Sequence, residues 1–150
     1  MRSSPIVRLR RLRAGDSQFV QELSATAFAE FSREPVGATM AMVRRYRAFV
    51  AERDEAPVGF AVVRLINPTT AELVAIAVVE HERGRGVGRA LLGLAERAAR
   101  RSGARTLLLH TADANVAAFE LFHKNGFSLA RRLPRYYLGV FDACELQKAL

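Results

Sequence analysis

AELVAIAVVEHERGRGVGRALLGLAERAARR occupies positions 71–101, and its reading decides the fold. The run 71–79 is apolar except for Glu72. A short apolar run that ends in a polar loop reads as a buried central strand. From Gly86 the period changes. Val87, Ala90, Leu91, Leu94 and Ala98 recur at helical spacing to about Arg101. Between strand and helix lies RGRGVG, which puts flexible and charged residues in one place. A helix N-terminus carries unpaired N–H groups and the positive end of the helix dipole. Glycines let the main chain approach an anion without an intervening Cβ, and arginines add bidentate donors. The loop thus reads as a pyrophosphate cradle. A tight turn with solvated arginines is the blander alternative.

Outward from this stretch, Gly103 ends the helix and 106–110 forms a strand, so strand, loop, helix and strand make a crossover with a parallel pair. Upstream, 5–13 alternates as a first strand, Asp16 can cap a helix to about Phe31, and a short second helix starts at Thr39. Strands at 46–52 and 58–65 are joined by the turn RDEAP, and Asn67-Pro68 turns into the central strand. Downstream, Asp113 or Asn115 caps a helix that stops at Asn125-Gly126, and two last strands lie near 127–132 and 138–147. The class is α/β, with a sheet antiparallel at first and one parallel pair near its centre.

The 150 residues suit one domain with a real core, and half of them are hydrophobic. No apolar run is long enough to span a membrane. The basic start MRSSPIVRLRRLR lacks an apolar segment behind it and reads as mature sequence. Cys144 is the single cysteine, which excludes an internal disulfide and fits a reducing cytoplasm. Three scattered histidines give no metal-ligand spacing. The net charge of +8 fits an anionic ligand or partner. Nucleic acid is disfavoured, because VRLRRLR reads as a solvated edge strand and no aromatic-interleaved basic platform accompanies it.

The loop lacks G-x-x-x-x-G-K-[ST] and is not G-x-G-x-x-G, so neither a phosphate-loop NTPase nor a dinucleotide fold follows. Instead R-x-x-G-x-G at Arg83, Gly86 and Gly88, running into ALL, resembles the acyl-CoA loop of the GNAT superfamily of N-acyltransferases. ANVAAFELFHKNGF is similar to that superfamily's N-x-x-A-x-x-x-Y-x-x-x-G-F segment, through Asn115, Ala118, Gly126 and Phe127. The element order agrees along nearly the whole chain. The resemblance implies a mostly antiparallel sheet of about seven strands with a splayed parallel pair at its centre, and about four helices. It also implies acetyl-CoA as cofactor, with pantetheine in the gap between the splayed strands. The cofactor-binding residues would be Arg83, Gly84, Arg85, Gly86, Val87, Gly88, Arg89 and Ala90 in the loop, Asn115 and Phe122 in the later segment, and a backbone donor for the oxyanion near Ala77 or Val78.

Amine acylation also needs a neutral amine and a protonated leaving thiolate. The resemblance implies two candidate bases. Glu72 matches the strand-borne glutamate that histone-type members use, although it could equally be an exposed strand-start carboxylate. His110 ends the strand LLLH, where some N-terminal acetyltransferases carry histidine, and is placed first. Phe122 stands where the family commonly has a tyrosine facing the CoA sulfur and cannot donate a proton; Tyr136 or Tyr137 could substitute. The tail RRLPRYYLGVFDACELQKAL is similar to that of N-terminal acetyltransferases, whose Tyr-Tyr pair flanks the peptide's amino terminus. Tyr136, Tyr137 and Glu72 are therefore candidate substrate residues. Segment 33–47 has one acid, Glu34, against four arginines, which argues mildly against a polycation. The expected activity is acetyl transfer to a primary amine, a peptide or protein N-terminus first, by a monomer or homodimer. A small-molecule amine acceptor and a non-catalytic acyl-CoA-binding module are the alternatives.

Overall fold

A computed structural model describes residues 7–27, 36–137 and 141–150, with backbone alone at 36–40, 137 and 141. Seven strands form one sheet: β1 (Arg8–Arg11), β2 (Arg47–Arg53), β3 (Ala56–Asn67), β4 (Thr70–Val78), β5 (Thr106–Ala112), β6 (Ser128–Tyr137) and β7 (Phe141–Ala149). Among the described residues four α-helices accompany them: α1 (Ser17–Ala27), α2 (Val36–Arg45), α3 (Val87–Arg101) and α4 (Val116–Lys124). The order across the sheet is β1-β2-β3-β4-β5-β7-β6. All neighbouring pairs are antiparallel except β4 and β5, which are parallel. The expected class and the expected parallel pair are both present. α3 supplies the crossover between β4 and β5, as a parallel connection requires.

Boundaries differ in a few places. α2 begins at Val36, ahead of the expected Thr39, because Gly37 in a first turn costs a helix little when later turns pack. Asp16 belongs to a short 3-10 turn before α1. Its buried carboxylate accepts the Arg13 N–H at 2.8 Å and both terminal nitrogens of Arg10 at 2.8 Å. The expected extension of α1 to Phe31 lies outside the described residues. Between β2 and β3 the turn is made by Asp54 and Glu55, both at positive φ. Pro57 sits inside β3 where the register slips, a place where a missing N–H does no harm.

Two apolar layers cover the sheet. On one face α3 contributes Val87, Leu91, Leu92, Ala95 and Ala99, packed with Ala71, Leu73, Leu107, Leu109, Phe122 and Phe127. On the other, α1 contributes Val20 and Leu23 over Val50, Phe60, Val62, Ala75 and Ala77. Each large side chain removed from water contributes about 1.5–3 kcal/mol before entropy is counted. α3 lies close to the sheet at Gly59, where a Cβ would stand 2.9 Å from the Ala77 carbonyl oxygen and 3.0 Å from Leu91 Cδ1.

Candidate active site

β4 and β5 pair over only three positions, Thr70↔Thr106, Ala71↔Leu107 and Glu72↔Leu108. Beyond them β4 stays with β3 as far as Gly59↔Val78, and β5 stays with β7 as far as Ala112↔Ala143. The two strands therefore part, each held by its outer neighbour. One cause is local. The β3–β4 register slips between Val62↔Ala75 and Val63↔Leu73, leaving Val74 as an extra residue. Such a bulge bends the strand that carries it and reverses the faces of the residues that follow. Ala71 and Leu73 accordingly join the α3 layer, whereas Ala75 and Ala77 join the α1 layer.

Backbone alternation fixes which amides face the gap. Val79 N–H donates to the Val58 carbonyl at 2.9 Å, toward β3. Two residues earlier the Ala77 N–H takes the same direction, so the Val78 N–H turns toward the gap. The Val78 carbonyl faces the same way and accepts from Arg83 Nε at 3.3 Å. Of the two expected oxyanion donors, Val78 has this orientation and Ala77 does not.

The glycine loop stands at the open end. Gly84 and Gly86 have φ of +76 and +88, which other residues adopt only with strain. Gly86 is the N-cap of α3 and brings no side chain to the cap; the first bond of the helix runs from Ala90 N–H to the Gly86 carbonyl. That leaves the amides of Val87, Gly88 and Arg89 without intrahelical partners. A Cβ built on Gly84 or Gly86 would meet nothing within 4 Å, so the space before these amides is open. Val87 is buried and anchors the turn, while Arg83, Arg85 and Arg89 are exposed. Gly88 has a different task. A Cβ there would touch Leu121 of α4 at 3.5 Å and Val78 at 3.8 Å, so Gly88 allows α3, α4 and β4 to converge. Behind the loop, buried Glu82 accepts from Arg53 Nε at 3.0 Å and lies 3.7 Å from Arg85, tying the loop to the end of β2. Open amides, positive-φ glycines and flanking guanidinium groups together fit a diphosphate.

Asn115 and Phe122 lie on α4. Asn115 is its N-cap, with Oδ1 accepting the Ala118 N–H at 3.2 Å. Phe122 is 4% exposed and edge-on to Phe127 at 5.8 Å between ring centroids. It packs in the α3 layer and supplies no proton.

At the closed end, just beyond the last β4–β5 pair, charged side chains gather. His110 Nδ1 stands 3.4 Å from Glu72 Oε2, and Nε2 stands 3.0 Å from Glu145 Oε1. Glu72 in turn accepts from Arg64 Nε at 2.7 Å, and the same oxygen lies 2.6 Å from the second terminal nitrogen. Glu145 accepts from Arg131 at 3.1 and 3.2 Å. Tyr136 stacks on the His110 ring at 5.2 Å. The Tyr137 side chain, a candidate acid and substrate residue, lies outside the described residues.

These contacts decide the charge states. A neutral imidazole would turn a lone pair toward one of its two carboxylates, so the pair favours imidazolium. Glu72 raises the His110 pKa above its ordinary value; burial opposes this, and Glu145 adds to it. Burial alone would raise the Glu72 carboxyl, but hydrogen bonds from His110 and Arg64 outweigh it and hold the pKa below the usual range. Arg131 does most to lower Glu145, against some desolvation.

Sequence reading missed Glu145, Arg64 and Arg131. Each is one alternating residue of an ordinary strand, and only the register across the sheet brings them to His110. No group of three or more potential metal ligands occurs among the described residues, and none of their helices is long and apolar enough to cross a membrane.

The parting parallel pair and the glycine-led helix thus place open main-chain amides at the mouth of a gap in the sheet. The chain belongs to the acetyltransferase (GNAT) family, whose model matches residues 17–127, and its cofactor is acetyl-CoA. One relative is the N-alpha-acetyltransferase MAK3 of Arabidopsis thaliana, 35% identical over 72 residues. That match spans 48% of this chain and 38% of the relative. Among solved structures, Ard1 from Thermoplasma volcanium superposes with a TM-score of 0.89 at 23% identity, covering 96% of this chain and 97% of that one. A NatC complex bound to a Gag peptide and CoA gives 0.81 at 21%, covering 96% and 98%. These two structural likenesses concern the fold.

Proposed function

We propose that the chain acetylates the α-amine of a peptide or protein N-terminus, by direct attack on acetyl-CoA in a ternary complex. The observation that carries this reading is the β4–β5 gap, with open main-chain amides at one end and the Tyr136–His110 stack at the other. Acetyl-CoA, when bound, supplies an acyl thioester. Val78 and the residues from Arg83 to Ala90 hold it, the loop amides and arginines taking the diphosphate. Asn115 orders the start of α4, and Phe122 walls the gap from the core. The Val78 N–H is the donor for charge developing on the acyl oxygen.

His110 is the proton acceptor we favour, reached when one ring nitrogen gives up its carboxylate contact, with Glu72 second. Glu72 is held by Arg64 and His110 and is a weak base. His110 keeps its proton at low pH and becomes available as pH rises through its raised pKa. The acceptor's own acidity matters as much. An α-amine has a pKa of about 8 against about 10.4 for lysine, so roughly a tenth of it is already neutral at pH 7. The difference is about 3.5 kcal/mol of deprotonation work, and the two carboxylates here, already balanced by Arg64, Arg131 and His110, do little to supply it for lysine. Tyr136 flanks the incoming amine in this reading. The relative named for N-alpha-acetylation and the peptide-bound structural neighbour support a peptide acceptor. The lone buried Cys144 suits a reducing cytoplasm.

Thiol release from acetyl-CoA tests the assignment. An N-terminal peptide should exceed an otherwise equal peptide, blocked at its terminus and carrying one lysine, by about a hundredfold or more at pH 7. Spermidine and an aminoglycoside should be poor acceptors. Preference for either of those two would replace the peptide reading with a small-molecule one.

A further inference from the structure

The charges at the closed end of the gap form a line across the sheet. Arg64 is on β3, Glu72 on β4, His110 on β5, Glu145 on β7 and Arg131 on β6, which is also the order of the strands. The line takes one residue from each strand, and its signs alternate when His110 is protonated. Register makes this geometric: Arg64↔Glu72, His110↔Glu145 and Arg131↔Glu145 are cross-strand partners. Cross-strand partners share a face, and Ala71, Leu73, Leu107 and Leu109 turn to the opposite one, under α3.

We propose that Glu145 is a positioning residue for His110, and that the five side chains act as one titrating unit across the sheet. Glu72 and Glu145 grip the two ring nitrogens from opposite sides, so the ring cannot rotate without losing both contacts. Arg64 and Arg131 fix the carboxylates by paired bonds. Tyr136 covers one ring face, and Tyr46 supports Arg64 with its hydroxyl at 3.4 Å and its ring at 5.5 Å. Any change in one carboxylate therefore reaches the imidazole, and so does loss of the outer arginine of either carboxylate. Removing Glu145 takes away a charge that favours imidazolium. Removing Arg131 takes a cation from beside Glu145, leaving that carboxylate's charge less balanced, so imidazolium is favoured further.

The inference rests on the proposed function only for its catalytic consequence, and the experiment separates the two. The His110 imidazole is followed by NMR against pH in the full-length protein, its signal assigned by its absence in H110Q. Glu145→Gln should lower the titration midpoint by about one unit, and Arg131→Gln, which removes a cation from the line, should raise it by a smaller, measurable amount. Arg131 is 64% exposed, so its variant keeps the fold and carries the test if E145Q does not. An unmoved midpoint overturns the proposal. The acid limb of kcat/KM for an N-terminal peptide is read on the same proteins. A limb that follows the midpoint supports both the unit and the use of His110 as base. A midpoint that falls under an unmoved limb supports the unit and removes His110 from the proton path.

Discussion

The two ends of the β4–β5 gap are made of different material. At the open end the binding groups are main-chain amides at the start of α3, presented by a loop whose glycines hold φ near +76 and +88. At the closed end the working groups are side chains, drawn from five strands and held by one another. No substitution but proline deletes an amide N–H, and the presentation of these groups depends on backbone shape. Side chains can be deleted one at a time, but each change is felt by its neighbours. The open end should therefore yield to changes of backbone conformation and tolerate the loss of single arginines. The closed end should behave in the opposite way.

The sharpest way to break this contrast is Gly86→Val. The side chain has room, because nothing lies within 4 Å of its Cβ. The cost is conformational and positional. A β-branched residue at φ +88 carries strain of about 1–3 kcal/mol, and its methyls stand before the amides that meet the diphosphate. Acetyl-CoA affinity should fall by about a hundredfold or more, read as loss of thermal stabilisation by the ligand. Arg85→Ala should cost far less, since this side chain is 53% exposed. Comparable losses from the two variants would show that the arginines, and not the amides, bind the anion.

Next in size is His110→Ala, which tests the other end. Turnover with an N-terminal peptide at pH 7 should drop about tenfold to a thousandfold, the span that loss of a general base allows. The deficit should widen from pH 6 to pH 8.5, because the raised His110 pKa leaves little neutral imidazole in the wild type at the lower pH. Acetyl-CoA binding should be unchanged. A deficit that is constant with pH would mean that His110 acts by shape or charge and takes no proton.

The same contrast explains what could be read from sequence. The open end is local: strand, loop and helix follow one another in a single stretch, and each has its own signature in period or in glycine content. The Asn115 cap and the Gly126 stop are equally local, and both occur as expected. Glu72 and His110 are polar residues in apolar strands, and the family resemblance is what marks them as candidate bases. Their partners carry no such mark. Glu145 sits in CELQ, where an alternating polar residue is ordinary, and it reaches His110 only because β7 inserts between β5 and β6. Strand order and register are long-range facts that one sequence does not print. The bulge at Val74 was equally hidden, since AELVAIAVV shows no break in its apolar pattern.

The smallest effect expected is on stability, and its sign separates the ladder from a passive hydrogen-bond cluster. His110 has a folded pKa above its unfolded value of about 6.5. Its contribution to stability is therefore fully present below about pH 6.5 and is lost as pH rises through the folded value. Glu72 and Glu145 are shifted down, so theirs is present above their unfolded values of about 4.3 and fades as pH falls through the folded ones. The three overlap between roughly pH 4.5 and 6.5. His110→Gln keeps a hydrogen-bonding side chain but cannot carry the charge. Its urea midpoint should lie furthest below the wild type near pH 5.5 and approach it toward pH 8.5, as pH rises through the folded His110 pKa. A gap of equal width at both pH values would mean that His110 contributes to the fold by packing against Tyr136, and that the two carboxylates do not hold an imidazolium between them.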